Sequence, residues 1–350
     1  METSSLDLVL CARTLRGGLV ESMHFGAAAA MTADGTRLGA AGDPRWTTFA
    51  RSSAKPFQAL PLVLAGGIEA FDLSAEDLAL ICASHGGFPE HEERARELLA
   101  RAGCGLEDLE CGAHSPLDRR AARDLRAGGG EPGPAHNNCS GKHAGMLMTC
   151  RLKNWPTAGY SRPEHPLQQE ILRWMATFCR VGAADLGLAV DGCSVPTFHL
   201  PLEALAVGYA TLVEPETAGL APKVARAAHR ILSAMAGAPA MVAGPGRFTT
   251  RLIEVTGGRV IGKEGAEGMY AMAVRQPSDQ SPACGIALKV VDGADRAWAG
   301  VAIELLLAHG FLSAAEVEAL SAFRWPVLSN HRNLEVGHIV PEPQPAFAMR

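Results

Sequence analysis

The chain has 350 residues, of which 47% are hydrophobic and 20% are charged, and this composition is typical of a globular protein with one large core or two modest ones. The formal net charge of -5 and the lack of a long Lys/Arg-rich stripe argue against nucleic acid or a membrane surface as a partner. The nine cysteines are odd in number and scattered, which favours reduced thiols over a disulfide framework.

The first residues, METSSLDLVLCARTLRGG, contain no basic segment followed by a long apolar one. No stretch of the chain reaches about 18 uninterrupted apolar residues, the length of a membrane-spanning helix. We therefore expect neither export nor membrane insertion, and we predict a cytoplasmic protein.

The first predicted elements are two antiparallel strands in residues 20–41, where polar and apolar residues alternate around the turn dipeptide Asp34-Gly35. Helical periodicity then dominates the middle of the chain, with Gly or Pro between most segments. The predicted helices cover residues 60–64, 74–82, 90–102, 166–179, 202–212 and 222–235.

Strand patterns return in residues 257–265, GGRVIGKEG, and 284–301, which contain a hairpin signal at Asp292-Gly293. Residues 300–310 predict a helix that ends at Gly310. Strands at both ends of a helical middle indicate an α/β (α+β) fold. We predict a single catalytic domain over residues 1–350, with an antiparallel sheet built from about 1–60 and 240–350 and a largely helical insertion at about 61–239.

A Ser-x-x-Lys pair, Ser52 and Lys55, lies in the segment ARSSAKPFQALPLVLAGG. If Ser53 is the N-cap of a helix, Pro56 needs no intrahelical N–H, and Ser52 and Lys55 face the same side of the first turn. A serine becomes nucleophilic only beside a base, and a lysine can serve as that base only when burial or a second cation lowers its pKa. The alternative is a polar entrance to a buried helix.

Two further segments carry chemistry of the same kind. ICASHGGFPEH places Ser84 and His85 after an apolar helical end and before a double glycine, and VIGKEGAEG places Lys263 just after a strand. Each alone also fits an ordinary turn or strand end. With the first pair they form the order Ser-x-x-Lys, Ser-x-Gly, Lys-x-Gly, which resembles the motif set of penicillin-recognising serine enzymes.

A possible metal site comes from HNNCSGKHAGMLMTC and VDGCSVPTFHLP. In the first segment Cys139 and Lys142 are three residues apart, so they share a helical face. Zinc favours thiolate and nitrogen ligands, although the spacing is not that of a zinc finger. The candidates are Cys139 and Cys193 with one or two partners among Lys142, His143, His136 and Asp191, and the alternative is ordinary loop residues.

Five ordered segments, RSSAKPFQALPLV, ASHGGFPEH, HNNCSGKHAGML, DGCSVPTFHLPLEALA and KEGAEG, resemble the type II L-asparaginase family of the Rhizobium etli kind over about residues 16–291. The resemblance implies a serine β-lactamase/glutaminase-like fold and hydrolysis of L-asparagine to L-aspartate and ammonia. Two departures, Thr249 in place of an acidic residue and Phe88 in place of a polar one, concern substrate preference more than reaction type.

The resemblance also implies residue roles. The catalytic residues would be Ser52 with Lys55 and Ser84 with Lys263; the Zn²⁺ ligands Cys139, Lys142 and Cys193; and the substrate-binding residues Arg51, His85 and Asp191, with Asp191 beside the metal. One serine would attack the side-chain amide, ammonia would leave, and water would hydrolyse the β-aspartyl ester. Ser52 is the first candidate nucleophile, but the choice between the two serines stays open at this point. Zinc would help to orient the substrate.

Two alternatives remain from the sequence: a glutaminase or β-lactam hydrolase on the same scaffold, and a non-catalytic zinc-binding regulator. The expected partner is a small molecule, L-asparagine. The apolar helical segment EILRWMATF at residues 170–178 permits a subunit interface, and we expect a homodimer.

Overall fold

The computed structural model describes residues 7–276 and 282–342 of the chain. The chain divides into two compact units. The sheet unit comprises Met1–Ser53, Leu200–Ala218 and Arg251–Arg350, and the helical unit comprises Ala54–His199 and Gly219–Thr250. These bounds lie close to the predicted ones, except that residues 200–218 go with the sheet. Residues 1–6 of the N-terminal segment considered above lie outside the described part.

In chain order the strands are β1 (Val9–Arg16), β2 (Leu19–Met31), β3 (Arg37–Ala41), β4 (Thr47–Phe49), β5 (Gly187–Val190), β6 (Pro196–Pro201), β7 (Val260–Glu264), β8 (Met269–Val274), β9 (Cys284–Val290), β10 (Val327–Ser329) and β11 (Glu335–Pro341). The helices are α1 (Lys55–Gln58), α2 (Leu60–Leu64), α3 (Gly67–Ala70), α4 (Ala75–Ile81), α5 (Pro89–Arg101), α6 (Arg119–Ala127), α7 (Ser140–Leu152), α8 (Pro166–Cys179), α9 (Leu202–Val213), α10 (Pro222–Gly237), α11 (Pro239–Val242), α12 (Phe248–Val255), α13 (Trp298–Ala308), α14 (Ala314–Ala319) and α15 (Ser321–Arg324). Short 3₁₀ helices cover Arg51–Ala54, Leu106–Asp108, Pro134–His136 and Ala183–Asp185.

The sheet unit is built on an antiparallel sheet with the order β10-β11-β1-β2-β9-β8-β7, and β3 also pairs with β2. N-terminal β2 pairs with C-terminal β9, from Gly26 opposite Val290 to Met31 opposite Gly285. The predicted hairpin of residues 20–41 is present as β2 and β3. The prediction of an α/β fold with one antiparallel sheet assembled from both ends of the chain is therefore confirmed.

The sheet core continues to the β7 end of the sheet, where every residue of β7 and β8 is buried. Helix α9 packs against β2, β8 and β9, and α13 packs against β1, β8, β9 and β11. The approach of α9 depends on Gly285, since a Cβ there would overlap the carbonyl oxygen of Ala206. On α13 the ring of Trp298 stacks on Tyr270 with centroids 4.7 Å apart.

The predicted hairpin at Asp292-Gly293 is wrong. Strand β9 ends at Val290, and the chain turns into α13 instead of a second strand, while the partners of β9 are β2 and β8. The turn itself forms, because Asp292 accepts the Ala294 N–H at 2.9 Å and its other carboxylate oxygen lies 2.6 Å from His24 Nδ1. The dipeptide specifies a turn, and the helical periodicity that follows decides what comes after it.

The helical unit contains most of the predicted helices, and α2, α4, α5, α8 and α10 begin and end within a few residues of the predicted bounds. Helix α7 is buried along most of its length. It lies close to α4 because two glycines one turn apart face that helix: a Cβ on Gly141 would overlap the carbonyl oxygen of Leu80, and a Cβ on Gly145 would lie 2.7 Å from Ile81 Cγ2. Within the described residues, the helices are all too short or too polar to cross a bilayer.

Candidate active site

The Ser-x-x-Lys segment begins with a 3₁₀ turn, Arg51–Ala54, that leads directly into α1. The condition that Ser53 caps this helix is not met: Ala54 occupies the N-cap without a side-chain hydrogen bond, and Ser53 Oγ donates to the Ala50 carbonyl at 2.5 Å. The physical reason lies at Arg51, whose φ of 50° turns the backbone into the left-handed region. The first turn then winds as 3₁₀, and α1 starts one residue later than a Ser53 cap would give.

Three predicted site residues, Arg51, Ser52 and Lys263, belong to the sheet unit. Lys263 on β7 is fully buried, and its Nζ donates to the Glu264 carbonyl at 2.9 Å. The end of β7 lies against the start of the Ser-x-x-Lys segment, because a Cβ on Gly265 would be 2.9 Å from the Ala50 carbonyl oxygen. The same segment is held from α9 by the Tyr209 hydroxyl, which donates to the Ser53 carbonyl at 2.7 Å.

Lys55 and Ser84 form a buried serine-lysine pair in the helical unit. Lys55 is 1% exposed and Ser84 2% exposed. Lys55 Nζ donates to Ser84 Oγ at 3.0 Å, to the Asn138 carbonyl at 3.4 Å and to the Ala83 carbonyl. An ammonium has three N–H donors, and here three acceptors surround it. The sequence placed Lys55 with Ser52 and Ser84 with Lys263; within the helical unit it is Lys55 that contacts Ser84.

Ser84 lies in the loop that follows α4. Its backbone N–H donates to the Val242 carbonyl at 2.9 Å, which fixes the main chain at this point. The next residue, His85, is fully buried, accepts the Gly87 N–H at Nδ1 (3.2 Å) and lies 2.9 Å from Ser140 Oγ through Nε2. Burial, aided by nearby cations including Lys55, holds the pKa of His85 well below 6.5, so the ring is neutral.

A thiol cluster forms where the first turn of α7 meets the turn before β6. Cys139 occupies the N-cap of α7, and Lys142 Nζ lies 2.9 Å from Cys193 Sγ. A hydrogen bond from Cys193, helped by Lys55 and Lys142, lowers the pKa of Cys139 well below its ordinary value in spite of burial. The same bond raises the pKa of Cys193. Of the two sulfurs, Cys139 is therefore the one whose surroundings favour the thiolate.

Lys142 and Asp191 complete the charges of this cluster. Burial alone would lower the pKa of Lys142, but the sulfurs of Cys193 and Cys139 raise it, so Lys142 is an ammonium in this state. Asp191 Oδ2 lies 4.0 Å from Cys193 Sγ, and its Oδ1 accepts the Gly192 N–H at 2.8 Å. The structure thus brings together the predicted ligands Cys139, Lys142 and Cys193 and places Asp191 beside them.

This donor set fits zinc chemically, since two sulfurs and a nitrogen converge on one buried point. Among residues 7–276 and 282–342, no group of three or more His, Cys, Asp and Glu side chains is arranged to hold a metal ion. A zinc site here therefore depends on the Lys142 nitrogen as third donor, and Lys142 would have to lose its proton to coordinate.

The two histidines that were alternative ligands make ring contacts away from the thiol cluster. His143 Nδ1 lies 2.6 Å from the Tyr160 hydroxyl, which accepts the Glu110 N–H at 3.0 Å. The other ring nitrogen of His143, Nε2, is buried and has no hydrogen-bond partner among the described residues. His136 accepts the Gly133 N–H at Nδ1 (3.0 Å) and pairs with a glutamate through Nε2.

Sequence reasoning missed three residues that shape the site: Asn138, Ser140 and Tyr160. Asn138 supplies a carbonyl to Lys55, and Ser140 is the partner of the His85 ring. Both lie in the quoted segment HNNCSGKHAGML, so their place beside Cys139 was the available signal. Nothing in the sequence around Tyr160 indicates its contact with His143.

Phe88, one of the two departures noted in the sequence, lies at a cavity of about 530 Å³ in the helical unit. Its ring packs over Gly86, where a Cβ would lie 3.0 Å from Phe88 Cε2, and it meets His91 edge to face at 5.9 Å. None of the ten predicted site residues lines this cavity.

The model of the L-asparaginase II family matches residues 12–341, which is nearly the whole chain. The protein is therefore an enzyme of the amidohydrolase class, and its substrate is a small molecule. Within that class, the chain belongs to the L-asparaginase II family. This confirms the resemblance drawn from the five sequence segments.

Three solved structures illustrate the similarity to known folds. The native form of Mglu is 16% identical (TM-score 0.42, covering 85% of this chain and 64% of that one). The Bacillus subtilis glutaminase YbgJ, in covalent complex with 5-oxo-L-norleucine, is 15% identical (TM-score 0.34, 75% and 79%). A probable glutaminase from Bacillus subtilis, complexed with 6-diazo-5-oxo-L-norleucine, is 18% identical (TM-score 0.36, 77% and 77%). At these values the likeness carries no conclusion about activity. No curated protein matches the sequence significantly.

Proposed function

We propose that this enzyme hydrolyses L-asparagine to L-aspartate and ammonia by acyl transfer, with Ser84 as nucleophile and Lys55 as its base. The observation that carries the proposal is the 3.0 Å contact between Lys55 Nζ and Ser84 Oγ in a buried setting. Family membership supports the asparagine side-chain amide as the bond that is cleaved.

The first half of the reaction needs one proton to move along that contact. The reaction starts once Lys55 has released one proton to solvent: the resulting amine takes the proton of Ser84 as Oγ bonds to the amide carbon of the substrate. The resulting ammonium then donates that proton to the leaving nitrogen, the C–N bond breaks, and ammonia departs. In the second half Lys55 takes a proton from water, the water oxygen attacks the ester carbon, and L-aspartate leaves as Ser84 regains its proton.

A positive charge near the thiol cluster supports binding of the substrate's α-carboxylate. In the metal-free state Lys142 carries that charge, and a zinc ion, which Cys139, Lys142 and Cys193 would hold, would supply it instead. Arg51 and Asp191 remain the predicted contacts for the two charged groups of the amino acid. Ser52 and Lys263 remain predicted catalytic residues, and Ser52 is the alternative nucleophile.

Ammonia release from L-asparagine by the purified enzyme tests the function. We expect Ser84→Ala and Lys55→Met to lose at least about 10³-fold in kcat, the scale of losing a nucleophile or its base. Ser74→Ala is the matched control, because Ser74 only caps α4, so this variant should lose stability and keep kcat. Mass spectrometry of enzyme quenched during turnover locates the acyl group, and an ester on Ser52 would assign the attack to that serine.

Parallel assays with L-glutamine and a chromogenic β-lactam separate the other hydrolases. If the protein binds zinc but hydrolyses none of these substrates, the proposal of catalysis is contradicted and a non-catalytic zinc-binding regulator is supported. We also propose a cytoplasmic location, which is in keeping with the nine free cysteines. The proposed oligomeric state is a homodimer. Sedimentation of the purified protein measures its oligomeric state.

A further inference from the structure

Two segments of the helical unit carry the proposed reactive groups, and two side chains connect them. The serine loop, residues 83–87, holds Ser84, and the start of α7, residues 138–142, holds the thiolate and lysine of the thiol cluster. Lys55 bridges the segments on one side, because it donates both to Ser84 and to the Asn138 carbonyl. His85 bridges them on the other side through Ser140.

The proton positions on His85 follow from its partners. The Gly87 N–H can only donate, so Nδ1 of His85 must be the acceptor of that 3.2 Å bond. The ring proton therefore lies on Nε2 and is donated to Ser140 Oγ at 2.9 Å. Both ring nitrogens are used inside the protein, and one ring face stacks on His91 with centroids 4.9 Å apart. A histidine bonded in this way has no nitrogen left for a substrate.

We propose that His85 is a positioning residue of the amidohydrolase site, which ties the serine loop to α7 so that Ser84 Oγ stays within hydrogen-bond distance of Lys55. The inference rests on the proposed pairing of Ser84 with Lys55. His85 follows Ser84 directly in the chain, so a shift of its ring moves the serine as well. Its bond to Gly87 fixes the loop beyond the serine, and its bond to Ser140 fixes that loop to the helix.

Loss of either end of the His85–Ser140 bond should have the same effect. A displacement of about 1 Å at a reacting group costs roughly 10²-fold in rate. We therefore expect His85→Ala and Ser140→Ala each to lower kcat for L-asparagine by about tenfold to a hundredfold, with KM changed by less than about twofold. The double variant should be no slower than the slower single variant, because both substitutions remove one connection.

Two further variants separate positioning from general destabilisation. His85→Gln keeps an N–H that can reach Ser140 Oγ and should recover most of kcat. His165→Ala is the matched control: His165 is a buried histidine of the same unit whose Nδ1 likewise accepts the N–H two residues on, from Leu167, and whose Nε2 bonds the Pro156 carbonyl. We expect His165→Ala to lower the Tm while kcat stays near that of the wild type. If His85→Ala does not fold, Ser140→Ala makes the same test with the ring in place.

A readout without substrate keeps this proposal separate from the proposed function. The rate at which a fluorophosphonate labels Ser84, followed by mass spectrometry, should fall in His85→Ala and Ser140→Ala in parallel with kcat. If the wild type releases no ammonia from L-asparagine, the proposed function fails, and the labelling rates still decide the role of His85. Unchanged labelling and kcat, additive losses in the double variant, or an equal loss in His165→Ala would each overturn the proposal.

Discussion

Acidification should destabilise the fold through its buried neutral histidines, and His85 permits a numerical prediction. Its pKa in the folded protein is held well below the ordinary 6.5, mainly by burial. Below that ordinary value the unfolded chain therefore binds a proton that the folded chain does not, so stability is full above about pH 6.5 and is lost as the pH falls. From about pH 7.5 to 5.5, one such group costs RT ln(11/1.1), or about 1.4 kcal/mol.

The measurement is urea unfolding of the wild type and His85→Gln at both pH values, with the free energy of unfolding obtained by linear extrapolation. We expect the wild type to lose about 1.4 kcal/mol more than the variant between the two pH values, because the variant has no imidazole to protonate on unfolding. His331→Gln, at an exposed site, is the control and should follow the wild type. An equal pH dependence in the wild type and His85→Gln would refute the assignment of a neutral, desolvated His85.

Three other predictions concern the thiol cluster and the helix that carries it. Cys139→Ala should lower the bound zinc and raise KM for L-asparagine more than it lowers kcat, and a loss of kcat at unchanged KM would assign the cluster to chemistry instead. Zinc affinity, measured by competition with a chelator, should fall as the pH falls, because protons compete for the thiolate and amine donors; a flat profile would argue against these ligands. Gly141→Ala should cost about 1–3 kcal/mol of unfolding free energy, since its Cβ meets the Leu80 backbone, whereas Gly237→Ala at an open helical position should be neutral or stabilising.

The sequence predicted the parts of the fold that depend on local periodicity. The β2–β3 hairpin, the strand β7 and the helices α2, α4, α5, α8, α9 and α10 lie where the apolar pattern placed them. The sequence-based expectations failed where one local sequence signal is compatible with more than one structure. Asp292-Gly293 specifies a turn, but the helical pattern after it determines the element that follows. Ser53 is a good N-cap residue, but the positive φ at Arg51 starts a 3₁₀ turn first.

The contacts of the candidate site depend on tertiary structure, and spacing could not specify them. Ser52 and Lys55 are three residues apart, which made their pairing the natural prediction. The structure adds a contact that spacing could not predict: Lys55 at the start of α1 donates to Ser84, which lies 29 positions further along in the loop after α4. Likewise, the motif located His85 but not Ser140 as its partner.

The charges of the thiol cluster explain how one set of side chains can suit both a metal-free and a metal-bound state. A buried ammonium is costly unless an anion lies beside it, and Lys142 has the Cys139 thiolate and the Cys193 sulfur as its neighbours. The lysine thus stabilises the thiolate, and the thiolate keeps the lysine protonated. Zinc could bind to the Lys142 nitrogen only after that ammonium had lost a proton. The charge of the metal ion would then take the place of the ammonium charge. Replacing Lys142 with Met should therefore raise the pKa of Cys139 and weaken zinc binding together, and thiol titration beside a chelator competition measures both in one variant.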